Sequence, residues 1–179
     1  MVASSKYPEP LPWWYVRQFC HTSMTSRWKE GISCASSAEG ANHTAVPGLA
    51  IYRRSDTAAP VNTVYQRSIV LVAQGRKRAF VGPDAFPYDP DNYLVTSVPL
   101  PVASAIVEAS PERPLLSVSL AFDLDAVRDL MTRAGDVLAP AASEPPQRGL
   151  AACPVTPPIR DAVARLLDLL DTPDDAPVL

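Results

Sequence analysis

Between Val46 and Leu120 the chain breaks into short apolar runs spaced roughly ten residues apart, with turn residues between them. Runs of that length suit strands, and their regular recurrence indicates a β-sandwich or a β-barrel. The predicted strands cover 48–53, 68–74, 76–81, 92–98, 104–109 and 115–120. The run at 68–74, with Ile69, Val70 and Val72, is rich in the β-branched residues that fit a buried strand. Gly75 then permits the tight turn into 76–81, since it has no Cβ to forbid positive φ. A polar loop is expected after the first strand through Pro60, with turns at Gly82-Pro83-Asp84 and Tyr88-Asp89-Pro90-Asp91. Proline occupies 20 positions and glycine only 7, which reinforces this reading. A proline inside a helix removes a hydrogen bond and clashes with the preceding turn, so a helical bundle is disfavoured.

The pattern changes at Asp123. That residue is placed to cap a helix running through Arg133, with Leu124, Val127, Leu130 and Met131 on its apolar side. A proline-rich loop is expected from Pro140 to Pro154, and a second helix from Thr156, with Pro157 at its first position. Ile159, Val163, Leu166 and Leu170 form the stripe of this helix, opposite Arg160, Asp161, Arg165 and Asp168. The stripe is expected to pack on the barrel, to meet the same helix of a second subunit, or to do some of both. Residues 1–44 hold all three tryptophans but no sustained period, and are expected to form an irregular extension or arm. The predicted division is therefore 1–44 as arm, 45–122 as barrel and 123–179 as attached helical segment.

Charge narrows the partners. The net charge is −3 and the pI about 5.3. Residues 1–44 carry four basic and three acidic side chains, which leaves twelve basic against sixteen acidic over 45–179. Nucleic-acid binding draws on a basic surplus to neutralise phosphates, so direct contact with DNA or RNA is not expected of this chain. Cys20, Cys34 and Cys153 form no C-x-x-C pair and no even framework, as expected for free thiols in a reducing cytoplasm. No apolar run reaches the ~20 residues of a membrane span, so no membrane partner is expected.

A catalytic constellation is missing from the sequence. A site for iron, manganese or a similar ion is built from imidazole and carboxylate ligands brought together. His21 and His43 both precede the predicted barrel strands and form no H-x-H pair. The G-x-S-x-G elbow of serine hydrolases and glycine-rich phosphate loops are also absent. The chain is expected to be no enzyme, with no metal and no cofactor. Arg76-Lys77-Arg78 reads as a solvated, charged hairpin turn that also protects a strand edge.

A ligand cavity would need a few polar groups in an apolar wall. Strand alternation puts Tyr93, Val95 and Ser97 on one face, and Ser104, Ile106 and Glu108 on one face. Tyr93, Ser97 and Glu108 are the candidate ligand contacts if those faces point inward. The alternative is that Leu94, Val98, Val107, Leu116, Val118 and Leu120 make the core.

An ordered set of short matches identifies a family. Val64-Tyr65, the stretch 71–78, Tyr88-Asp89-Pro90, Tyr93-Leu94-Val95, Pro99-Leu100-Pro101 and the stretch 107–111 resemble the N-terminal domain of AraC-type bacterial transcription regulators. The resemblance covers roughly residues 45–179. It implies a cupin-like, jelly-roll β-barrel followed by two helices, which senses an unidentified small-molecule effector and pairs subunits as a homodimer. Such regulators continue into helix-turn-helix units that this sequence does not contain. The rival expectation is a free-standing cupin-like small-molecule binding protein or enzyme.

Overall fold

The computed structural model describes residues 24–36, 38–134 and 149–170. Its elements in chain order are α1 (Met24–Ala35), β1 (Gly40–His43), β2 (Leu49–Arg54), β3 (Ala58–Tyr65), β4 (Ser68–Gln74), β5 (Arg76–Val81) and β6 (Asp84–Tyr88). They continue with β7 (Asn92–Thr96), β8 (Leu100–Glu108), β9 (Leu115–Ala121), α2 (Leu124–Ala134), β10 (Leu150–Pro154) and α3 (Pro157–Asp168). One sheet has the order β1-β2-β9-β4-β7-β10 and the other β3-β8-β5-β6. Within β2 to β9, first pairs with last throughout: β2 with β9, β3 with β8, β4 with β7 and β5 with β6, all antiparallel. A long antiparallel ribbon rolled into two sheets is the jelly roll, the cupin-like architecture expected from the sequence.

The strands expected from apolar runs all form. The central position of β4, between β9 and β7, explains its unbroken apolar run: Leu71, Val72 and Ala73 are all buried, so successive side chains fill both faces. Four strands lie where none was expected. β3 replaces the polar loop through Pro60; it is an edge strand, with a register shift between Ala58 and Val61 spanning the proline. Proline is tolerated at such an edge because no ladder donor is needed there. β6 is likewise an edge strand and contains Pro87. β10 arises at the end of the expected proline-rich loop and extends the larger sheet along β7. β1 extends that sheet at its other margin.

The helices form as expected from Asp123 and Thr156. Asp123 Oδ1 accepts the backbone N–H of Asp125 at 2.8 Å. Thr156 occupies the N-cap of α3, but its side chain makes no capping hydrogen bond, and Pro157 begins the helix. The arm expected over residues 1–44 is in part regular structure. Trp28 and Ile32, four residues apart on α1, are both buried.

Two cores result, one on each side of the larger sheet. Outside it, Trp28 and Ile32 of α1 and Val163 and Leu167 of α3 pack on Leu49, Ile51, Leu71, Leu116 and Val118. The expected α3 stripe joins this core: Ile159, Leu166 and Leu170 lie half-buried against it beside buried Val163, and Leu167 is the buried position the stripe omitted. Between the two sheets lies the second core, with Val72, Ala79, Tyr88, Leu94, Val102, Ile106, Leu115 and Leu150. This inner core is where the unusual polar groups sit.

Candidate functional site

Strand register identifies what faces the space between the sheets. On β5 the alternation places Lys77 with Ala79 and Val81, both members of the inner core. Lys77 stands opposite Tyr88 on β6 and Ile106 on β8. Tyr52 of β2 lies opposite Ser117, and Ser117 is buried opposite Val72. The inner face therefore gathers Tyr52, Tyr65, Lys77, Tyr88, Ser104 and Ser117 within an aliphatic wall.

The ammonium of Lys77 lies 4.8 Å from the centre of the Tyr52 ring and 5.7 Å from that of Tyr88. Aromatic faces attract a cation through their negative quadrupole, for about 0.5–2 kcal/mol. Among the described residues no carboxylate makes a salt bridge with it; the recorded pairs join Arg53 to Glu39, Arg76 to Asp89 and Arg160 to Asp91, besides those within α2. Burial pushes the Lys77 pKa down from 10.5 to about 8. The residue as a whole keeps part of its surface, so the group is half-buried rather than sealed.

Beside it is a cluster of hydroxyls. Tyr65 donates to Ser104 Oγ at 2.6 Å and stands 2.8 Å from the Tyr88 hydroxyl. Because the one phenolic proton of Tyr65 is used on Ser104, Tyr88 supplies the proton of the second bond. Tyr88 is fully buried, and burial first, then the Tyr65 phenol, raises its pKa well above 10, which keeps it a neutral donor. Thr96, opposite Leu150 and Ser68, is also fully buried, and its Oγ1 has no hydrogen-bond partner among the described residues. A lysine and several hydroxyls set in an apolar wall are the kind of groups that anchor a small molecule by charge and hydrogen bonds.

The residues proposed from sequence lie elsewhere. Leu94 and Thr96 point inward, so Tyr93 lies on the opposite face, where it packs with the helix-side core. There, burial and then the neighbouring Cys153 raise the Tyr93 pKa. Ser97 follows the end of β7, and its hydroxyl donates to the Gly149 carbonyl at 3.3 Å. Glu108 ends β8 as an exposed residue opposite Arg76, although Ser104 and Ile106 on the same strand do face inward. The alternative aliphatic set is also split: Leu94 is inner core, Leu116 and Val118 are helix-side core, and Val98 and Val107 are exposed.

The basic triplet needs a correction too. Arg76 and Arg78 are exposed as expected, whereas Lys77 turns between the sheets. The signal was in the sequence: alternation from Ala79 and Val81 carries Lys77 to their face.

A cleft of about 340 Å³ lies on the surface between α1 and the β8–β9 loop. Lys29, Glu30, Arg53 and Glu112 line it with mixed charge, and Arg53 is already 3.6 Å from Glu39. Among the described residues no three His, Cys, Asp or Glu side chains are grouped to hold a metal, and His43 sits exposed on β1.

Comparison with known proteins adds the lineage. No curated protein matches the chain. ToxT from Vibrio cholerae is similar at 14% identity and a TM-score of 0.49, over 66% of this chain and 46% of ToxT. A ToxT structure with (E)-4-(8-methylnaphthalen-1-yl)but-3-enoic acid bound is similar at 14% identity and a TM-score of 0.48, over 69% of this chain and 47% of that one. The chain thus spans about half the length of these structures. Residues 45–179 match the family model described as AraC-type transcriptional regulator N-terminus, which takes in β2 to β10, α2 and α3. On that match over most of its length, the chain belongs to the family of AraC-type transcriptional regulator N-terminal domains.

Proposed function

We propose that this chain is the effector-sensing and subunit-pairing module of an AraC-type regulator, and that its effector binds between the two sheets around Lys77. The observation that carries the reading is Lys77 itself. A lysine that turns between two sheets and, among the described residues, meets only aromatic faces is expensive, since a buried charge is normally paired. Tyr52, Tyr65, Tyr88 and Ser104 supply the few polar groups that orient a ligand in such a wall. Binding there couples to the regulator through β9 and β4, whose outer faces carry α1 and α3.

Pairing of subunits is proposed through the helices. α2 leaves Leu130 60% exposed and Met131 55% exposed on one side, while the α3 stripe is largely taken up by the core. Sedimentation of wild type and Leu130→Asp tests this: a concentration-dependent dimer in wild type and a folded monomer in the variant are expected.

Thermal unfolding against a panel of small organic molecules tests the sensing role. A true effector raises the midpoint in wild type, with a much smaller rise in Lys77→Met. Equal shifts in both proteins contradict the placement of the site.

A further inference from the structure

One wall of the surface cleft comes from a part of the chain that the family match does not reach. α1 ends before residue 45, where that match begins, and it contributes Lys29 and Glu30. The facing wall is a row across the larger sheet. Leu116 of β9 stands in register between Arg53 of β2 and Gln74 of β4, so the three side chains share the helix-side face. The third wall is the β8–β9 loop, with Pro111, Glu112 and Pro114.

This loop is braced in advance of any ligand. The Ser110 N–H donates to the Arg113 carbonyl at 3.0 Å, and the Arg113 N–H donates to Ser110 Oγ at 3.1 Å. Gln74 Nε2 donates to the Pro114 carbonyl at 2.9 Å, which fastens the loop to the sheet. Hydrogen bonds from its own backbone N–H and from Ser110 hold the Glu112 carboxyl below the usual carboxylate range, so it is charged at neutral pH.

Four charges of both signs thus meet around one cleft without neutralising one another. Among the described residues Lys29, Glu30 and Glu112 form no salt bridge, and Arg53 pairs only with Glu39, through Nε at 3.6 Å. A guanidinium carries five N–H donors, of which Nε accounts for one. The cleft is about 340 Å³, near the lower end of the roughly 300–1,000 Å³ of small-molecule sites, and buried Leu116 gives it an apolar floor.

We infer that this cleft binds an α-amino acid with an apolar side chain, independently of the site proposed around Lys77. The carboxylate lies toward Lys29 and Arg53, the ammonium toward Glu30 and Glu112, and the side chain against Leu116 and the two prolines. A zwitterion satisfies both signs at once, whereas a simple anion or cation leaves two like charges facing it. Bound there, the ligand bridges α1 to the β8–β9 loop and so ties the leading helix to the barrel.

Equilibrium dialysis of the full chain with L-alanine, L-leucine and L-phenylalanine tests this. At least one is expected to bind saturably at one site per chain. The N-acetyl and amide derivatives of the tightest binder each lack one charge, and each should bind about tenfold more weakly or worse. Lys29→Gln and Glu112→Gln, both outside the two cores, should each lower the affinity about fivefold or more while keeping the wild-type thermal midpoint. Lys77→Met, on the other side of the larger sheet, should keep wild-type affinity. Absence of saturable binding of all three amino acids overturns the inference, as does a derivative that binds as tightly as its parent. Unchanged affinity in both cleft variants overturns it too. Binding lost only in Lys77→Met assigns the ligand to the inter-sheet site, which overturns the cleft and leaves the sensing role standing.

Discussion

Lys77→Met keeps most of the volume of the side chain and removes its charge, so it measures what the buried ammonium costs. The Lys77 pKa is about 8 when folded against the ordinary 10.5. At 1.36 kcal/mol per pH unit, that difference corresponds to about 3 kcal/mol. The side chain keeps part of its surface, and solvent screening brings the figure to about 2 kcal/mol. Losing the contacts with Tyr52 and Tyr88 offsets about 1 kcal/mol of that gain. The variant should therefore be more stable than wild type by about 1 kcal/mol at pH 7.

The pH dependence follows from the direction of the shift. Below pH 8 the lysine is protonated in both states, and the penalty is complete and constant. Between about pH 8 and 10.5 the unfolded chain binds more protons than the folded one, so wild-type stability gains from Lys77 as pH rises. Urea unfolding of both proteins at pH 6, 7, 8, 9 and 10, read by tryptophan fluorescence, isolates this term in the difference between them. The advantage of the variant should be level from pH 6 to 7 and shrink by roughly 1 kcal/mol by pH 10. A difference that stays constant across the range, or a variant less stable at pH 7, refutes the burial of that ammonium.

Other substitutions probe the frame around the site. Tyr65→Phe removes the hydroxyl that links Tyr88 to Ser104 and should destabilise by about 1–3 kcal/mol, visible as a lower thermal midpoint. Gly75→Ala should cost more than 2 kcal/mol in urea unfolding, roughly, since φ is +83° and a Cβ would come within 2.5 Å of the Glu108 carbonyl oxygen. Leu167→Ala should lose about 2–4 kcal/mol because it opens the helix-side core, whereas Leu130→Ala on α2 should stay within about 0.5 kcal/mol.

The sequence disclosed strands wherever burial wrote itself into composition. β4 and β5 match their predicted spans, and the caps at Asp123 and Thr156 mark two helix starts. Edge strands were hidden for the opposite reason. β3 is exposed over most of its length, so it has no apolar alternation to read, and Pro60 imitates a loop. Long-range pairing also hid β10, which is a strand because β7 offers an open edge to it.

The site was less legible than the fold. Which of Tyr93 and Leu94 faces inward stays open in the sequence, because strands buried on both sides give no polar alternation to decide it. Tyr93 and Leu94 are both apolar enough for either core, and only the helices over the larger sheet settle which core each joins. Lys77 was concealed by its neighbours, because two exposed arginines made the whole triplet look like a wet turn.

Six tyrosines in the chain permit a direct test of where the effector binds. Selective ring labelling gives each tyrosine an NMR signal that responds to a ligand within a few ångströms. When a molecule that raises the thermal midpoint is titrated in, the signals of Tyr52, Tyr65 and Tyr88 should move together and saturate with the same affinity, while Tyr93, on the helix side of β7, stays in place. Movement of Tyr93 with Tyr52, Tyr65 and Tyr88 unchanged would contradict a binding site between the sheets.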